Sequence, residues 1–257
     1  MNASIQAPKK HFSPKIVIVS VIAALVVTLS GFLLFRSVFS GSVLDTLNAG
    51  DFRFELCGTD RLSKIVVYKD GSKTATVRTS SVGSQNDHYG VTVVDLNFDG
   101  SPDLLVAQTE KNRNTCYAVW TWNAATGTYR SADAVAGAPN VTLNEDYECL
   151  VSHALETRFV GEDAYGSAYY EEAEIYRIFH SYKGEIVELA RYEFVYYTKN
   201  DIHALLISRF DYNEGSLSSF SEDHWLSDKE AENFDLKEEM LRDMEAHRSE
   251  YLGEASE

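Results

Sequence analysis

Cysteine is scarce in this 257-residue chain. There are three, Cys57, Cys116 and Cys149, and no two are spaced as CxxC. A structural zinc site built on paired thiolates is therefore excluded. Three thiols allow at most one disulfide, in any of three pairings, or three buried packing residues; the sequence does not choose between them. Proline is scarce too, with four residues and no low-complexity tract, while 44% of the chain is hydrophobic. Collagen-like and disordered classes are excluded, and a sizeable core is available. Acid is absent before Asp45, and basic residues are in deficit after it. Four of the 23 basic residues (Lys9, Lys10, Lys15, Arg36) precede all 39 acids, so the net charge of -16 understates the acidity of the remainder. Such a surface repels phosphate backbones, which excludes nucleic acid as a partner and suits divalent cations or a basic protein. The seven histidines show no HExxH or HxH spacing, and no GxSxG elbow or phosphate-binding loop occurs. The expectation is a protein that is not an enzyme.

Residues 16–35 read IVIVSVIAALVVTLSGFLLF, without a charge. At about 1.5 Å per residue the run spans roughly 30 Å, the thickness of a bilayer's hydrocarbon core. The basic residues crowd its N-terminal side, which places residues 1–15 in the cytoplasm and everything after 40 outside. A cleaved signal peptide is the competing reading. The run is longer than a usual h-region, and Arg36 interrupts the approach to the small residues Val38 and Ser40. The expectation is an uncleaved anchor over 16–36, a linker over 37–50 and an extracytoplasmic domain over 51–222.

That domain reads as β. Asp70-Gly71, residues 123–127, Lys183-Gly184 and residues 213–215 are turn signals between runs rich in β-branched and aromatic residues. Their succession predicts consecutive antiparallel hairpins without intervening helices. Tyrosines are dense between 165 and 212, and serve either sheet packing or an interface. After 222 the pattern changes. Ser227 and Glu230 form a capping-box signature, and Phe234, Leu241, Met244 and Tyr251 recur at helical spacing. One acidic amphipathic helix is expected over 228–251, within a C-terminal segment 223–257.

The most informative stretch is Asp95-Leu96-Asn97-Phe98-Asp99-Gly100-Ser101-Pro102-Asp103-Leu104. Oxygen side chains at 95, 97 and 99 converge when the chain curls round a cation, and Gly100 permits the bend. Ser101 offers its carbonyl and Asp103 a further carboxylate. Ca²⁺ takes six to eight hard oxygen ligands, and no nitrogen or sulfur is present to favour zinc or copper. Position twelve is Val106 rather than the bidentate Glu of an EF-hand, and the flanks are strand-like. The expected ligands of one Ca²⁺ are Asp95, Asn97, Asp99, Ser101 and Asp103, in a loop spanning 95–106. A metal-free Asx-rich turn is the alternative.

This DxNxDGxxDL loop resembles that of FG-GAP and VCBS calcium-loop proteins. Together with the 65–67 strand, the Asp70-Gly71 turn and the aromatic 117–122 strand, it is similar to a family of bacterial periplasmic or surface proteins, some of which inhibit lysozymes. The resemblance covers roughly 50–135. It implies a propeller-like or lysozyme-inhibitor-like mainly β domain in a bacterial cell envelope. The functional expectation is a calcium-binding module for a protein or glycan partner, with inhibition of a cell-wall hydrolase as its activity. The rival readings are a structural component of an envelope assembly and a hydrolase that uses acidic residues.

Overall fold

A computed structural model describes residues 41–111, 114–162, 166, 168–198, 201–211 and 218–248. The tail at 1–15 and the transmembrane segment at 16–36 lie outside the described residues. Among the described residues no helix is long and apolar enough to cross a membrane. The chain divides into two units after Ser42, and the second runs from Val43 to Glu257.

This second unit is mainly β. Its strands form three open antiparallel sheets, not a closed barrel. The first holds β1 (Ser42–Ala49), β2 (Phe52–Gly58), β3 (Leu62–Lys69) and β4 (Ser72–Arg78). The second holds β5 (Val91–Val94), β6 (Asp103–Lys111), β7 (Asn114–Asn123) and β8 (Thr128–Ser131). The third holds β9 (Thr142–Asn144), β10 (Cys149–Glu162), β11 (Ala168–Tyr182), β12 (Glu185–Tyr197), β13 (Ile202–Asp211) and β14 (Ser218–Leu226). Each sheet is a meander in chain order. The turn chemistry explains this. Asp70 and Gly71 both take positive φ, 51° and 75°, as do Lys183 and Gly184 at 52° and 80°. That backbone twist matches the twist of the strands a two-residue hairpin joins.

The sheets are held together by shared cores. Phe54, Leu56, Ile65 and Val67 of the first pack with Val91, Leu104, Val106 and Trp122 of the second. Leu105 and Val119, on the other face of the second sheet, pack with Leu150, Phe179 and Ile186 of the third. The middle sheet is thus buried on both faces, which is why β6 is apolar at consecutive positions instead of alternating. Part of the far face of the third sheet is covered by a helix.

Three expectations need correction. Residues 42–49, expected within a linker, form edge strand β1; its weak alternation around Asp45 hid it. Strand β10 fills 149–162, inside the expected β domain, and is one of the longest described strands. The third sheet runs past 222, to Leu226. The single helix expected over 228–251 is instead two: α1 (Asp228–Ala231) and α2 (Leu236–Ala246). The capping box at Ser227 and Glu230 is present. Asp235 then restarts the helix by accepting the Glu238 amide, because its side chain competes with the backbone for that donor. Leu236, Met240 and Met244 are the buried stripe of α2, packed on Tyr176, Ile178, Tyr192, Leu205 and Ile207. The cysteines, kept open for one disulfide, are all free and lie on three different sheets. The 213–215 turn and Tyr251 lie outside the described residues.

Candidate metal centre

The 95–103 loop joins β5 to β6, as its flanking β-branched runs predict. The two strands pair from Val94↔Asp103 to Val91↔Val106, so the loop is a hairpin connection closed at its base by a strand residue. Two positive-φ residues, Phe98 at 58° and Gly100 at 83°, reverse the chain. A Cβ at Gly100 would meet nothing within 4 Å, so glycine is there for its φ and not for space.

Asp95, Asn97 and Asp99 gather inside the curl. Asp95 accepts the amides of Asp99 at 3.2 Å and Gly100 at 2.8 Å. The Asn97 Oδ1 accepts the Asp99 amide at 3.3 Å, while its Nδ2 donates to Asp99 Oδ2 at 3.0 Å. Asp99 Oδ1 accepts the Ser101 amide at 2.8 Å. The bonds from the Asp99 amide to Asn97 and from the Ser101 amide to Asp99 are Asx-turn bonds, and each carboxylate oxygen keeps a second lone pair for another partner. Asn97 is buried, whereas Asp99 and Gly100 are exposed.

Asp103 behaves differently. It is fully buried. One of its oxygens accepts the Leu96 amide at 3.0 Å, and the other the Trp122 amide at 2.7 Å. It therefore ties the start of the loop to β7 across β6. Burial pushes its carboxyl up to about 7 against those two amides, and Asp99 and Asp95 add repulsion. The base is braced on the other side by Tyr129, whose hydroxyl donates to the Pro102 carbonyl at 2.6 Å. Its ring lies 5.2 Å from that of Trp122, which in turn meets Phe52 edge-on at 5.1 Å. Tyr129 and Trp122 were legible in the sequence only as sheet aromatics. Their support of the loop depends on the β6–β7–β8 register.

The donor set fits a hard cation in kind: two carboxylates, one amide oxygen and the loop's carbonyls, all oxygen. Among the described residues no three His, Cys, Asp or Glu side chains already converge around one point. The reason is visible in the loop, since Asp103 faces backbone amides and leaves Asp95 and Asp99 as the acids of the curl.

No protein family profile and no curated protein matches this chain. A solved structure, that of a Xanthomonas type IV secretion system related protein, is similar at a TM-score of 0.45 and 15% identity. The likeness covers 71% of this chain and 98% of that one. At this level it carries neither a family nor a function.

Proposed function

We propose that this chain is a binding protein of the bacterial envelope. It is anchored through 16–36 with its β domain outside the cytoplasm, and it takes one Ca²⁺ in the 95–103 loop. Its partner is a protein or glycan, and its activity is inhibition of a cell-wall hydrolase. The observation that supports this reading is that Asp95, Asn97 and Asp99 turn side-chain oxygens onto the amides of one hairpin loop, braced by Asp103 and Tyr129. Asp95, Asn97, Asp99 and the Ser101 carbonyl hold the ion. Asp103 supports the set by fixing the loop's base through the Leu96 and Trp122 amides. When bound, Ca²⁺ neutralises carboxylates that repel one another and locks the connection between β5 and β6. The acidity of the domain and the absence of nucleophile or metalloprotease motifs in the sequence favour binding over catalysis.

The test is a pull-down from envelope extracts with the full chain in detergent, with calcium and with EDTA. A partner retained only with calcium supports the reading, and its peptidoglycan-cleaving activity should fall as the chain is added. Cleavage of peptidoglycan by the chain alone would replace the reading with a hydrolase. Retention of envelope-assembly proteins without any hydrolase would replace it with a structural role.

A further inference from the structure

The third sheet has an uncovered stretch on the same face that α2 protects. Register places Leu155, Thr157 and Phe159 of β10 opposite Glu174, Glu172 and Tyr170 of β11. Glu172 and Glu174 in turn stand opposite Tyr196 and Phe194 of β12, and Tyr196 opposite His203 of β13. Side chains alternate between faces along a strand, so these positions share one face with Tyr176 and Tyr192, which α2 buries. Beyond α2 the face opens into a groove of about 590 Å³ whose lining includes Leu155, Glu172, Glu174, Phe194, Tyr196 and His203. Among the described residues no Lys or Arg lines it.

Two features mark it as a contact surface. The first is exposed apolar area. Phe159 is 61% exposed, Leu155 48% and Tyr170 43%, and Phe159 and Tyr170 meet edge-on at 5.9 Å. Rigid paired aromatics beside a concavity are what interface centres use. The second is the sorting of charge. The arginines of this part of the sheet, Arg158, Arg177 and Arg191, lie on the opposite face, where they pair with Glu156, Glu188 and Glu193. Glu174 pairs with His153 at 2.9 Å, and Glu172 forms no ion pair among the described residues. Carboxylates and aromatics without a lysine or arginine among the described residues attract a cationic partner and repel an acidic one. A second copy of this chain, at -16, is the wrong sign.

We infer that the β10–β11 face beyond α2 docks a basic protein, with Phe159 and Tyr170 as apolar anchors and Glu172 receiving a lysine or arginine side chain. This deepens the binding-protein reading and rests on it. The test uses the full chain in detergent and a strongly basic lysozyme as probe, with the same lysozyme acetylated on its lysines and soluble peptidoglycan fragments as further arms. Affinity is measured by calorimetry in calcium-containing buffer. The wild type should bind the native probe, less tightly at higher salt, and bind the acetylated probe weakly or not at all. Phe159→Ser and Glu172→Lys, both at exposed positions, should each weaken binding by at least about tenfold. Asp60→Lys, which makes the same charge change at an exposed site in the β2–β3 connection, should leave affinity within about twofold. Equal losses from Asp60→Lys and Glu172→Lys would overturn the assigned surface and leave the binding reading intact. So would binding of the probe that neither Phe159→Ser nor Glu172→Lys alters. Binding of peptidoglycan fragments in place of lysozyme would overturn the basic-protein inference but not the binding reading. Failure of the wild type to bind any arm would sink both.

Discussion

Met244 tests how α2 is held. It is fully buried, as are Leu236 and Met240 to within 2% exposure, against Tyr176, Ile178, Tyr192, Leu205 and Ile207. An eleven-residue helix is marginal in water on its own, so its stability comes from this stripe. Met244→Ala removes a long buried side chain and leaves a cavity that the sheet beneath cannot fill, at a cost of about 2–5 kcal/mol. Two outcomes differ in where that cost appears. If α2 and the sheet unfold together, the whole cost lowers the global melting temperature, by roughly 2–4 °C per kcal/mol for a domain of this size. If α2 opens locally, amides of 236–246 exchange faster by about 30- to 5,000-fold while the sheet amides hardly change. The structure favours the second. Few hydrophobic anchors hold α2, whereas the sheet below is bonded strand to strand through six strands. Hydrogen exchange by mass spectrometry, with a urea melt on the same sample, separates the two outcomes. Lys237→Ala, at an exposed position of the same helix, should change neither. Unaltered exchange at 236–246 together with an unaltered melt in Met244→Ala would refute the docking stripe.

Glu188 should contribute to stability in a pH-dependent way. Burial pushes its carboxyl up, but hydrogen bonds from Arg177 and Arg191 outweigh burial and hold it below its ordinary value of 4.5. Its folded value lies below its unfolded one, so its contribution is present above pH 4.5 and is lost as pH falls through the folded value. Glu188→Gln should therefore cost about 1–2 kcal/mol in urea melts at pH 7 and clearly less near pH 3, and equal costs at both would contradict the pairing. Thiol titration should find three free cysteines after denaturation without reductant; one free thiol would reveal a disulfide. In the folded protein Cys116, half-buried, should react before Cys57 and Cys149. Burial raises the Cys57 thiol and pushes that of Cys149 up to about 12, which keeps both protonated.

The legible parts of the fold were those written in local chemistry. Asp70-Gly71 and Lys183-Gly184 announced hairpins because only a few residue types tolerate their φ. The 95–103 loop announced itself by oxygens at alternate positions and a glycine at the bend, and the structure puts a strand hairpin there. What the sequence hid was long-range. Strand β10 carries Glu156, Arg158 and Glu162, which look like a solvated surface until their partners on β11 and β12 are known. The break before α2 turned on whether Asp235 would cap a new helix or sit inside an old one, and a buried sheet face decided it. Asp103 reads as a ligand by spacing. Its bond to the Trp122 amide spans 19 positions and could not be inferred from the loop alone. The tyrosines of the third sheet divide by cover and not by alternation: Tyr176 and Tyr192 are buried under α2, and Tyr170 on the same face is exposed beyond it.

Calcium binding in the 95–103 loop is the central proposal, and titration calorimetry tests it most directly. Calcium added to the EDTA-treated full chain should bind at one site per chain, in the range of roughly 10⁻⁴–10⁻³ M that extracellular modules use. At a hundredfold excess over Kd the gain in stability should be about 2.7 kcal/mol, seen as a rise in melting temperature. Asp99→Ala removes one carboxylate of the curl and should abolish that calcium-dependent rise whatever it does to the calcium-free baseline. Asp87→Ala, before β5 and outside the loop, should preserve it. No heat of binding at millimolar calcium, with a wild-type melting temperature that EDTA leaves unchanged, would contradict the account.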